Sequence, residues 1–90
     1  LSRFKVEVRV TPRPGLLDPQ GKAVQHALDS LGYEGVDSVR VGKLLVLELE
    51  ADDAAAARAR TEEMCRKLLA NPVTEDFLIE VSELAPVEAE

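Results

Sequence analysis

Three features of this 90-residue chain predict an α+β fold, a ferredoxin-like βαββαβ two-layer sandwich with an antiparallel four-stranded sheet and two helices on one face. Four short runs alternate apolar and polar residues, two helix-length stretches fall after the first and third of them, and both helices open on an aspartate. Right-handed crossovers then leave the split βαβ arrangement as the simplest solution. Residues 1–84 form a single domain, and 85–90 form an acidic tail with nothing to bury, expected to be mobile.

The first strand spans Arg3 to Thr11, with Phe4, Val6, Val8 and Val10 on one face and Lys5, Glu7, Arg9 and Thr11 on the other. Pro12 and Pro14 end it, because neither can donate to a ladder. Asp18 and Pro19 start a helix that runs to about Leu31: the aspartate accepts from an early N–H, and proline at the first position has no N–H to leave unpaired. Val24, Ala27, Leu28 and Leu31 make its apolar stripe, and Gly32 its C-terminal cap. Val36 to Val41 resumes alternation as a second strand, joined through a Gly42-Lys43 hairpin to a third from Leu44 to Glu50.

That hairpin carries a difficulty of register. A two-residue turn puts Val41 and Leu44 on one face, which throws Leu45, Leu47 and Leu49 onto the other. Either the loop is odd in length, or Gly42 forms a bulge, or both faces are partly covered, with Leu44, Val46 and Leu78 and the sheet edges available for self-association.

Asp52-Asp53, either of which can cap, opens a second, alanine-rich helix from Asp53 to about Ala70, with an inward stripe of Ala54, Ala57, Thr61, Met64, Cys65 and Leu68. Asn71, in the left-handed cap position, and Pro72 stop it. A last strand runs from Thr74 to about Leu84, with Phe77, Ile79 and Val81 in phase.

Composition excludes several functions. A formal charge of −6 opposes phosphate-backbone binding, and the outward face lacks the aromatics on which bases stack, so no nucleic-acid partner is expected. The single cysteine, Cys65, cannot form an intramolecular disulfide and reads as a small buried hydrophobe rather than a nucleophile. His26 is the one histidine and has no companion ligands at metal spacing. With no signal-peptide pattern and no bilayer-length apolar run, the expected location is cytoplasmic and no membrane association is expected. No catalytic constellation is visible.

What remains are polar residues around glycines. Gly21 sits in a first helical turn, where it gives up roughly 0.8–1.0 kcal/mol relative to alanine. Beside Gln20, which has no core role, it suggests a bare backbone turned toward a partner; Gly21→Ala is then expected to leave the isolated fold intact or firmer. Arg13 and Lys22 flank this stretch, while Arg40 and Lys43 flank Gly42. Cations near exposed backbone suit phosphate or a partner's carboxylates.

In order along the chain, Leu17-Asp18-Pro19-Gln20-Gly21, Leu31-Gly32, Val39-Arg40-Val41-Gly42-Lys43, Cys65-Arg66-Lys67-Leu68-Leu69-Ala70-Asn71-Pro72 and Ile79-Glu80 resemble the PurS family, the small subunit of phosphoribosylformylglycinamidine synthase. The resemblance implies a part in purine biosynthesis, in a complex that uses glutamine and ATP to convert formylglycinamide ribonucleotide to formylglycinamidine ribonucleotide. It implies a large synthetase subunit holding ATP and magnesium, a separate glutaminase subunit, and a small non-catalytic subunit that bridges the two and assists ammonia transfer. That subunit is expected as a homodimer or homotetramer, with no cofactor of its own. Asp18, Gln20, Gly21, Lys22, Arg40, Gly42, Lys43 and Asn71 are the candidate partner-binding residues. A small-molecule-sensing regulatory domain of the same fold is the alternative.

Overall fold

The computed structural model describes residues 1–84; the acidic tail lies outside them. Strand β1 (Ser2–Pro12) is followed by helix α1 (Pro19–Ser30), strand β2 (Lys43–Ala51), helix α2 (Ala54–Met64), a π-helical turn (Cys65–Leu69) and strand β3 (Glu75–Glu83). The sheet has three strands in the order β2-β1-β3, with both pairings antiparallel. The fold is thus α+β with two helices, as expected, but the four-stranded sheet is not formed within one chain.

The missing element is the Val36–Val41 strand. These residues are joined to no strand, and no turn forms at Gly42. The chain passes Gly42 without positive φ and enters β2 directly, so the expected hairpin is absent. A Cβ at Gly42 would collide with the Val10 carbonyl oxygen and lie 2.9 Å from Thr11 Cγ2. Close approach to β1 explains this glycine without any turn.

Loss of the hairpin also removes the register difficulty. Leu49, Leu47 and Leu45 stand opposite Phe4, Val6 and Val8, and Val81, Ile79 and Phe77 stand opposite Val6, Val8 and Val10. The centre of one face is therefore apolar, with Lys43, Glu75 and Glu83 only at its margins, and Phe4, Val6, Val8 and Val10 are buried in it. On the outer face Leu44, Val46 and Leu78 are 53%, 55% and 71% exposed, beside ion pairs such as Arg9–Glu80 (3.1 Å) and Arg3–Glu48 (3.4 Å). Exposed pairs of this kind contribute at most about 1 kcal/mol each.

Only α2 and the π turn pack on the apolar face, through Ala57, Thr61 and Cys65. Of the two aspartates that could cap α2, Asp53 does so, its carboxylate accepting from Ala56 N–H at 2.8 Å. The π turn is closed by Ala70 N–H donating to the Cys65 carbonyl at 3.0 Å. Its extra residue shifts the inward position from Leu68 to Leu69: Leu68 is 81% exposed, while Leu69 packs on the core and Ala70 is buried. Asn71 does not take the left-handed position, since no residue other than glycine has positive φ among those described.

Helix α1 departs furthest from expectation. None of its residues belongs to the core, and Val24 and Leu31 are exposed. Its C-terminus is nonetheless well closed: Gly32, at φ +93°, lets its own N–H donate to Asp29 and that of Tyr33 to Leu28, each at 3.0 Å. This is the glycine-dependent Schellman arrangement. The result is an elongated chain, 52 × 32 × 16 Å, with α1 held away from the sheet.

Replacing Leu69 with Ala is expected to cost about 1–2 kcal/mol of unfolding free energy, and Leu68→Ala less than about 0.5. Urea denaturation of the two variants checks the phase shift; equal losses would place both leucines alike against the sheet.

Candidate functional site

The eight candidate residues gather at one end of the sheet, where β1 ends, α1 begins, residues 36–42 pass and the chain turns back from the π turn into β3. Asp18 organises this end. Its Oδ1 accepts from Gly21 N–H at 3.0 Å, capping α1, and its Oδ2 accepts from Val41 N–H at 2.9 Å, across 23 residues. Chiefly the Val41 amide, then that of Gly21, holds the Asp18 carboxyl below its ordinary range, against a smaller opposing effect of burial.

Gly21 is buried, and a Cβ on it would collide with the Val39 carbonyl oxygen and sit 2.7 Å from Asp18 Oδ2. The bare backbone is required by the chain's own 36–42 segment. Alanine here is strained rather than harmless, which corrects the expectation of an intact or firmer fold. Gln25, which sequence reasoning missed, completes the junction: its Nε2 donates to the Val36 carbonyl at 2.9 Å and the Asp37 carbonyl at 3.1 Å. Nothing in the sequence marks that glutamine, because its partners lie a helix turn and a loop away.

Gln20 is exposed on the first turn of α1, and Lys22 and Arg40 line the same open cleft of about 340 Å³ together with Asp18, Asp37 and Ser38. Arg40 Nη1 donates to the Pro12 carbonyl at 3.0 Å. Lys43, exposed, opens β2 opposite Val10. Asn71 shapes the neighbouring turn, its Oδ1 accepting from Val73 N–H at 3.0 Å and its own N–H donating to Glu75 at 2.7 Å. Arg13 stitches that turn to the end of β1, donating to the Pro72 carbonyl at 2.7 Å and pairing with Asp76 at 3.3 Å. The arrangement presents exposed cations and amides over a rigid frame, suited to contacting a macromolecular surface.

Among the described residues there is no group of three or more His, Cys, Asp or Glu placed to hold a metal, and no helix long and apolar enough to cross a membrane. Cys65 is fully buried, and desolvation first, then Glu62, pushes its thiol up. A raised thiol is a poor nucleophile. His26 is exposed on α1.

Residues 5–83 match the family described as PurS, phosphoribosylformylglycinamidine (FGAM) synthase. The chain belongs to the PurS family. The phosphoribosylformylglycinamidine synthase subunit PurS of Bacillus subtilis (strain 168) is 48% identical over 81 residues, covering 90% of this chain and 95% of that protein. A B. subtilis PurS crystal structure superposes with a TM-score of 0.77 at 49% identity, covering 89% of this chain and 99% of that one. A chain of the Thermotoga maritima PurLQS structure superposes with a TM-score of 0.79 at 34% identity, covering 93% and 100%. These PurS likenesses span nearly the whole described length, so the α1 junction and both helices fall within the shared region.

Since the folded-state pKa of Asp18 is depressed, its contribution is fully present above the ordinary carboxylate range and lost as pH falls through the folded value. Hydrogen exchange at the Val41 and Gly21 amides is expected to accelerate across that acidic window, beyond the intrinsic trend, and in Asp18→Asn to be fast at every pH. Gly21→Ala is expected to release the Val41 amide too; protection unchanged from wild type would show that the junction tolerates a side chain.

Proposed function

We propose that this PurS-family chain is the small, non-catalytic subunit of the phosphoribosylformylglycinamidine synthase complex of purine biosynthesis. In this reading it bridges the synthetase and glutaminase subunits, assists ammonia transfer between them, and acts in the cytoplasm as a homodimer or homotetramer. The observation that carries the reading is the similarity to a chain of a PurLQS structure along 93% of this chain. The site is in keeping with it: an exposed polar cluster on a braced frame, with a buried cysteine and no metal-ligand group among the described residues. ATP and magnesium belong to the large subunit in this reading, and no residue of this chain is assigned to either.

Asp18, Gly21 and Gly42 then serve the interface indirectly, by shaping the junction from within. Gln20, Lys22, Arg40, Lys43 and Asn71 are the residues left to meet a partner. Exposed side chains of mixed polarity on a rigid support are common at the rim of protein interfaces, where charge chiefly steers encounter and fixes register. Charge reversal there should weaken assembly without unfolding the subunit.

Reconstitution tests this directly. Mixing the chain with the large and glutaminase subunits is expected to give a co-purifying complex, and leaving it out to abolish glutamine-dependent turnover while ammonium salts still support the synthetase. Lys22→Glu with Arg40→Glu is expected to reduce co-purification with the thermal midpoint of the isolated chain preserved. Full glutamine-dependent activity without the chain would falsify the assembly role, and tight nucleotide or amino-acid binding by the isolated chain in calorimetry would favour a ligand sensor.

A further inference from the structure

Helix α1 bears a second hollow, of about 250 Å³, between its polar face and the loop that follows it. Lys22, His26 and Asp29 line it from the helix, and Tyr33 and Gly35 from the loop. Their helical spacing stacks the first three on one face, separated by about 6 Å and about 4.5 Å along the axis. Gly32, at φ +93°, turns the chain back after α1 and brings Tyr33 against the hollow, its N–H donating to the Leu28 carbonyl. Gly35, at φ +88° with nothing within 4 Å of where a Cβ would stand, leaves its wall bare. Gln25 fixes the remaining wall through the Val36 and Asp37 carbonyls. The frame is braced on both sides.

The groups that face the hollow are idle. Among the described residues the side chains of Lys22, His26, Asp29 and Tyr33 make no hydrogen bond or ion pair, whereas Arg9, Arg13 and Arg40 are all engaged. The hollow also lies on the side of α1 opposite Val24, Leu28 and Leu31, so whatever covers that apolar stripe leaves it open.

The order of these groups along the helix selects a ligand. Lys22 and His26, one turn apart, can both donate to an oxyanion, and lysine suits phosphate as a point charge. Asp29 accepts only, and calls for an amino group. Tyr33, 62% exposed, offers a flat ring on which a planar base stacks. A free amino acid carries its ammonium and carboxylate on one carbon and is too short to reach both Lys22 and Asp29. We propose that this hollow binds a nucleoside monophosphate with an amino-bearing base. Its phosphate lies on Lys22 and His26, its base on Tyr33, and its amine donates to Asp29. The net charge of −6 opposes this little, because exposed charges are screened beyond about 8–10 Å at physiological salt. The hollow is open and smaller than the roughly 300–1,000 Å³ of enclosing ligand sites, so binding is weak, unlike the tight binding of a dedicated sensor. The site goes beyond the assembly role and is independent of it.

The test is an NMR titration of the isotope-labelled full chain. Tyr33 is the one tyrosine, so its ring protons are read directly. AMP is expected to shift them saturably, together with the amides of Lys22, His26, Asp29 and Gly35, with a dissociation constant of about 0.1–1 mM. IMP, which carries a carbonyl where AMP carries its amine, is expected to bind weaker by about threefold or more, and Asp29→Asn to erase that preference. Lys22→Ala is expected to bring AMP down to the level of adenosine, and inorganic phosphate to leave the Tyr33 ring unmoved. Both substituted positions are exposed, so an unchanged spectrum away from the hollow shows each variant to be folded. A Tyr33 ring unmoved by AMP at about 10 mM overturns the site. So do equal affinities for AMP and IMP, variants that keep the wild-type preferences, or the same shifts from inorganic phosphate alone, the mark of an adventitious ion only. Failure of the assembly role would leave these titrations as they are, and failure of the titrations would leave co-purification with the synthetase and glutaminase subunits as it is.

Discussion

One carboxylate holds the α1 end of this molecule in shape. Asp18 accepts from Gly21 on one side and Val41 on the other, so the start of α1 and the approach to β2 move as a unit. Short carboxylates at helix starts are common and local in effect. Here the second oxygen reaches across the chain, and its geometry is possible only because Gly21 lets the Val39 carbonyl come close. Gln20, Lys22 and Arg40, among the exposed polar residues proposed to meet a partner, are mounted on this junction, so their relative placement depends on two amides and a missing side chain.

The second constraint is the direction in which the chain leaves the sheet. Packing of Gly42 against Val10 and Thr11 keeps residues 36–42 in line with β2, and everything bound to them follows. A tight turn at that point would fold α1 over the sheet; the straight course projects it outward. The same few residues therefore decide the shape of the single chain and where α1 stands relative to its sheet.

Much of this was legible in the sequence, and the failures share a cause. Strict alternation in β1 located the buried face correctly, because a half-buried strand writes its two environments into odd and even positions. The aspartate cap at position 18 is legible for a local reason, and so is a cap within Asp52-Asp53, though only the fold selects Asp53. The Val36–Val41 pattern was read as a strand, but alternation reports a pleated surface and not the chain that covers it. Leu68 was placed inward because the sequence gives no sign of where a helix gains a residue per turn. Gly21 was recognised as out of place in a helix; only the fold shows that its neighbour is Val39 rather than another protein. Gln25 was missed because hydrogen bonds to backbone carbonyls leave no trace in residue type.

The central position of β1 has a consequence for how the chain is made. β1 is flanked by β2 and by β3, both of which follow it in the chain, and its pairing with β3 joins Phe4 to Glu83, nearly the two ends of the described residues. Until the last strand is synthesised, β1 lacks a neighbour on one side and its four core residues lack half of their cover. Non-local pairing of this kind delays folding until the loop-closure entropy can be recovered. An emerging chain therefore exposes the apolar residues of β1 until β3 has followed, and Lys5, Glu7 and Arg9, which alternate with them, are charges of the kind that disfavour pairing of an open strand with other chains.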